Sequence, residues 1–132
     1  MFRLLTRPQF QAVLSGRTLA RTAHFALHFV ALPLPVDDAP TAGHTALFVG
    51  TGPWMGAMVP KRWAKRAVTR NTIKRQIYNV SSDFNPQLQA GAHLVRLRSG
   101  FDRSVFISAS SDVLKAAVRA ELQQLFTLGL RS

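Results

Sequence analysis

The stretch Lys61–Arg75 must stay on a surface while the helix it runs into buries one side, and few arrangements allow both. Seven of the chain's 17 Lys and Arg residues fall in these positions, and no acidic residue occurs between Asp38 and Asp83 to neutralise them. Set out at about 100° per residue, Ile73, Ile77, Val80 and Phe84 share a narrow apolar arc. Asn71, Lys74, Arg75 and Tyr78 form a separate polar arc, with Arg70 at the border where its stem can snorkel. Extending the helix back to Arg66 would aim that cation into the apolar stripe. The phase therefore predicts a helix starting near Val68–Arg70, with Thr69 as a candidate cap and 61–67 as an irregular basic approach. Asn85-Pro86 ends it, because a residue before proline disfavours helical geometry.

A helix with one apolar side needs a partner layer, and the flanking sequence supplies strands. Phe25, Leu27 and Phe29 alternate with Ala26, His28 and Val30, which predicts a strand over 24–32, with a minor strand at 17–21 before it. Gly50-Thr51-Gly52-Pro53 interrupts the next apolar segment, giving a short strand at 46–49, a turn or bulge, and a strand at 54–59. Ala92, Leu94, Val95 and Leu97 predict a strand at 92–98 with Arg96 and Arg98 alternating outward. Gly100–Arg103 reads as a turn, and Val105–Ile107 is too short to assign.

Two further helices bracket the chain. Thr6 and Gln9 form a T-x-x-Q capping box with Pro8 in the first turn; Phe10, Val13 and Leu14 follow at helical spacing, and Gly16 is placed to stop the helix. Ser111-Asp112 open the last helix, whose apolar side is Leu114, Ala117, Val118, Leu122, Leu125 and Phe126, with Gly129 as its end. Pro33, Pro35, Asp37, Asp38, Pro40 and Gly43 make a loop. The order helix, three strands, helix, strand, helix predicts one α+β domain over residues 1–132, with helices layered on the sheet.

Composition narrows what such a domain does. The 132 residues are 47% hydrophobic, unlike a disordered basic tail, and carry a formal net charge of +11. Charge that lopsided repels itself, so a polyanionic partner is favoured, nucleic acid ahead of an anionic membrane. The absence of cysteine excludes disulfides and thiolate metal sites and suits a reducing cytoplasm. No apolar run of about 18 residues is present, and the N-terminus lacks a signal-peptide pattern.

Autonomous catalysis is poorly provided for. His24, His28, His44 and His93 show no metal-ligand spacing; His24 and His28, four apart on a strand, would sit about 13 Å from each other. There is no nucleophile elbow, phosphate loop or cysteine nucleophile, so neither catalytic nor metal-ligating residues are assigned. A binding module needs what the chain has: arginine forks for phosphate, lysine charge, and aromatic faces on which unpaired bases stack. The polar arc also lacks the Glu residues that ordinary solvated helices carry for i,i+4 pairing.

The run Val59-Pro60-Lys61-Arg62-Trp63-Ala64-Lys65-Arg66-Ala67-Val68-Thr69-Arg70-Asn71-Thr72-Ile73-Lys74-Arg75 resembles the bacterial ribonuclease P protein subunit. That family carries a basic R-N-R-x-x-K-R signature after a strand ending in a V-x-K-K-like run. Phe10-Gln11-Ala12-Val13-Leu14 is similar to the family's D-F-Q-x-V-F helix, and Phe25-Ala26-Leu27-His28 to its F-V-L-Y strand. Gly56 falls in the strand leading to the signature.

The resemblance implies a small α/β sandwich with a left-handed strand–helix–strand crossover, against the general right-handed rule. It implies the protein subunit of a ribonucleoprotein that removes the 5′ leader from precursor transfer RNA, with the RNA subunit and its magnesium performing the hydrolysis. Arg70, Asn71, Lys74 and Arg75 match the signature and would contact the catalytic RNA, with Lys61, Arg62, Lys65 and Arg66 extending that surface. Phe10, Phe25, Leu27 and His28 match positions on or near a central cleft for the single-stranded leader. Thr72 stands where the signature has its second arginine, His28 where the family usually has tyrosine, and 44–53 is an insertion without an assigned counterpart. A structural RNA-binding protein of similar fold, ribosomal or otherwise, is the other reading at this stage, and a protein-only nuclease a third.

Overall fold

The structure is a computed structural model that describes residues 2–32, 48, 53–101 and 112–131. The loop at 33–43, the strand expected at 46–49 apart from Phe48, most of the turn after it, and the segment around Val105–Ile107 lie outside the described residues. The first helix, α1 (Arg7–Leu14), starts as its capping box dictates. Thr6 Oγ1 accepts the Gln9 N–H at 3.3 Å, and Gln9 Oε1 accepts the N–H groups of Thr6 at 3.0 Å and Leu5 at 2.7 Å. Four orphan donors open any helix, and this box closes the start of this one. Val13 is the helix's fully buried anchor.

Among the described residues five strands form one sheet: β1 (Phe2–Arg3), β2 (Arg17–Arg21), β3 (Phe25–Ala31), β4 (Trp54–Met58) and β5 (Gly91–Leu97). Their spatial order is β1-β4-β5-β3-β2. β2 and β3 pair antiparallel, with Thr18 opposite His28 and a register shift between Thr18 and Ala20. β3 and β5 pair antiparallel from Phe25 opposite Leu97 to Ala31 opposite Gly91. β4 and β5 run parallel, with Gly56 opposite Leu94. Parallel neighbours need a crossover, and helix α2 (Ala67–Phe84) is that crossover. β1 was not expected from the sequence; it adds a parallel edge beside β4, with Phe2 opposite Trp54.

Strand alternation assigns each side chain to one of two apolar clusters. Phe25, Leu27, Met55, Ala57, Val95 and Leu97 meet α2 and helix α3 (Asp112–Leu130) on one face. Leu4, Val13, Trp54, Ala92 and Leu94 form the cluster on the α1 face. Ile73, Ile77 and Val80 are buried, as the apolar arc of α2 predicts, and Phe84 stacks on Phe126 with centroids 5.5 Å apart. The helix gives way to a 3-10 turn at Asn85–Gln87, where Asn-Pro was expected to end it.

Two terminus assignments are corrected. α2 begins at Ala67 with Arg66 in the N-cap position and no side-chain cap, so Thr69 lies inside the first turn. Gly129 lies within α3 rather than ending it. It is buried, and a Cβ there would come within 2.7 Å of Leu27 Cδ2, so glycine serves close helix–sheet packing at that point.

Candidate nucleic-acid interface

The basic approach is a folded turn, not a loose tail. Pro60 O accepts the N–H groups of Trp63 and Ala64, each at 3.1 Å, and Ala64 is buried beneath the turn. Arg70 then ties this turn to the helix, its Nη1 donating to Ala64 O at 3.0 Å and Lys65 O at 2.8 Å. Arg70 is thus half-buried and partly occupied. Lys61, Arg62, Lys65, Arg66, Asn71, Lys74 and Arg75 are exposed.

The electrostatics of this surface favour an anion. Unpaired N–H groups make a helix N-terminus partly positive. α2 meets that end with Arg66 and a basic approach, and has no acidic residue in its first turn. The ion pairs among the described residues, His24–Glu121 and Arg119–Asp83, involve none of these cations. Like charges held together without counter-charge lower stability until an anion arrives. Arg62 lies over the Trp63 ring at 5.3 Å and Arg3 over the Tyr78 ring at 4.0 Å. Arg3 therefore extends the polar arc of α2 across to β1. The sequence reading missed it because a two-residue strand carries no periodicity.

Thr72 faces inward: it is buried, and its hydroxyl donates to Val68 O at 2.9 Å. Its place on the helix is therefore at the margin of the apolar arc and not among the exposed cations.

The four residues matched to a leader cleft do not share a surface. Phe25 and Leu27 are sealed, at 0% and 1% exposure, in the cluster beneath α2 and α3. This corrects the sequence assignment, and the reason is the period of two: His28 and Phe10 belong to the opposite, α1 face. Phe10 is half-buried there beside Gly56, where a Cβ would approach Phe10 Cε1 to 3.0 Å and Leu4 Cδ1 to 2.5 Å. Glycine at 56 lets α1 and the β1 end sit close to the sheet.

His28 is buried and held from both ring nitrogens. Arg96 Nε donates to its Nε2 at 3.2 Å, so Nδ1 carries the proton and faces Thr18 Oγ1 at 3.4 Å. Burial lowers the His28 pKa first, and the charges of Arg96 and Arg21 lower it further. Arg96, expected to point outward, is half-buried on this face instead.

Two further histidines, His24 and His93, lie among the described residues, and His44 lies outside them. His24 Nδ1 lies 2.7 Å from Glu121 Oε1, and the same carboxylate accepts from the His24 N–H and the Thr22 hydroxyl. His93 is buried, its Nδ1–H donating to Trp54 O at 3.2 Å, and desolvation pushes its pKa down to about 4 against that bond's opposing effect. Among the described residues no three His, Cys, Asp or Glu side chains are grouped to hold a metal ion. None of their helices is long and apolar enough to cross a membrane.

A layered α/β sheet carrying a basic helix face with no carboxylate partner among the described residues defines a small polyanion-binding protein. Comparison with known proteins makes the class specific. The family model described as Ribonuclease P matches residues 1–126. The Ribonuclease P protein component of Bordetella parapertussis is 38% identical over 125 residues, covering 93% of this chain and 88% of that protein. Its counterpart in Paraburkholderia xenovorans is 30% identical, covering 98% and 81%. The RNase P protein of Staphylococcus aureus superposes with a TM-score of 0.66 at 16% identity, over 97% of this chain and 94% of that one. The chain belongs to the ribonuclease P protein family, and so to the protein components of an endoribonuclease complex that has an RNA subunit.

Proposed function

We propose that the chain grips the RNA subunit through Lys61, Arg62, Lys65, Arg66, Asn71, Lys74 and Arg75, with Arg70 fixing the geometry of that surface. It holds the 5′ leader of precursor transfer RNA on the α1 face, where Phe10 and His28 lie, so that the RNA subunit can hydrolyse the phosphodiester. The observation that carries this reading is the contiguous exposed basic surface at the start of α2, which has no carboxylate partner among the described residues. Arginine forks and lysine charges at that density match a folded phosphate backbone.

The division of labour follows from what the side chains offer. Magnesium is the metal the family resemblance implies, and in this reading the RNA subunit holds it. This chain contributes charge neutralisation and positioning, and the complex then works at lower magnesium than the RNA alone. Cleavage of a precursor by the RNA subunit, measured across a magnesium series with and without the protein, tests this directly. The protein should shift the requirement downward; identical magnesium curves would overturn the reading.

A further inference from the structure

Arg96 is a half-buried cation on the α1 face of the sheet, without a counter-ion among the described residues. The register places it opposite Ala26 on β3 and Met58 on β4. Next to it along β3 stands His28, whose Nε2 accepts the Arg96 Nε–H at 3.2 Å. That bond needs a neutral imidazole, and Thr18 on the third strand backs it from the other ring nitrogen. Thr18, His28 and Arg96 thus form a chain across β2, β3 and β5. Arg21, opposite Ala26, brings a second guanidinium to the same side. No described carboxylate pairs with either arginine, and neither terminal nitrogen of Arg96 has a partner among the described residues.

An arginine normally spends its Nε–H and one Nη–H on a carboxylate as a two-pronged fork. Here histidine takes the Nε–H and holds the plane, leaving the Nη edge to present paired donors. A neutral acceptor fixes the direction of the guanidinium without cancelling its charge. We propose that Arg96, aimed by His28, is a phosphate clamp for an unpaired RNA strand on the α1 face, with Arg21 beside it as a second contact. His28 is the positioning residue. This rests on the reading above that the leader lies on this face, and it supplies what that reading lacked: the charged group that seizes the leader backbone. An aromatic residue on this face such as Phe10 offers stacking but no hold on phosphate.

The test uses holoenzyme reconstituted with the RNA subunit, and compares affinity for precursor transfer RNA with affinity for the same transfer RNA lacking a leader. Arg96→Gln should weaken precursor binding about 3- to 10-fold and leave the leaderless molecule unchanged. The salt dependence of precursor binding should become shallower by about 0.7 in log–log slope, the value for one phosphate on a single strand. His28→Phe, which removes the acceptor, should reproduce most of the loss and add little to Arg96→Gln. His28→Gln keeps an acceptor oxygen and should restore much of the parent affinity, which a purely structural role would not predict. Arg96→Met, of similar stem volume, repeats the measurement if the glutamine variant melts low. An Arg96→Gln enzyme that discriminates for the leader as well as the parent overturns the clamp and leaves the cleft reading standing. A parent that binds both molecules equally overturns both. A loss confined to affinity for the RNA subunit moves Arg96 to the other interface and also overturns the clamp.

Discussion

Arg70 and Lys74 are one turn apart on α2, yet their substitutions should act differently. Lys74 is exposed and has no bonded partner among the described residues. Lys74→Ala should therefore weaken RNA-subunit affinity and flatten its salt slope by about 1, without moving the melting temperature. Arg70 bonds the carbonyls of Ala64 and Lys65, so Arg70→Ala should also loosen the basic turn. Limited trypsin digestion would read this as faster cleavage after Lys61, Arg62 or Lys65. Equal digestion rates would show that Arg70 serves contact alone. His93 sets a pH response of another kind. Its pKa falls from about 6.5 in the unfolded chain to about 4 in the fold, so the unfolded state binds more protons between those values. Stability from this group is fully present above about pH 6.5 and is lost as pH falls towards 4, on the order of 3 kcal/mol in all. Denaturant melts across that window should show the loss, and His93→Leu should flatten that limb.

At the level of elements, α2 is anchored by Ile77, which is fully buried between the sheet and α3. Ile77→Asp places an unpaired charge there and should unfold the chain or cost several kcal/mol, read by calorimetry. Gly56→Ala should destabilise by about 1–3 kcal/mol, since the new methyl overlaps Leu4 and crowds Phe10. The helix phase, the capping box and the strand alternation were legible because each is a local period with a marked start. What escaped the sequence depends on distant partners. β1 exists only because β4 offers an edge, and Gly129 sits inside α3 because Leu27 lies beneath it. The cleft assignment failed at Phe25 and Leu27 because a motif match runs along a strand, whereas a surface takes every second residue. The same alternation separates His28 from those two, so the sequence held the information even though the match ignored it.

Across the whole molecule, a net charge of +11 in 132 residues makes salt the governing variable. Neutralising roughly five phosphates should give a slope of about −3 to −5 for log affinity for the RNA subunit against log salt concentration. A slope near zero would mean that the basic surface does not carry the binding. The strand order has a consequence for how the chain is made. β5 lies in the middle of the sheet, yet among the described strands it is the last to be synthesised. A growing chain therefore has the β2–β3 hairpin and β4 outside the ribosome with nothing to join them, their inner edges bare. The positively charged helix emerges before the strand that completes the sheet. Until β5 has left the ribosome, the described strands of the nascent protein are two unfinished halves linked by a basic segment, at the surface of an RNA-rich particle.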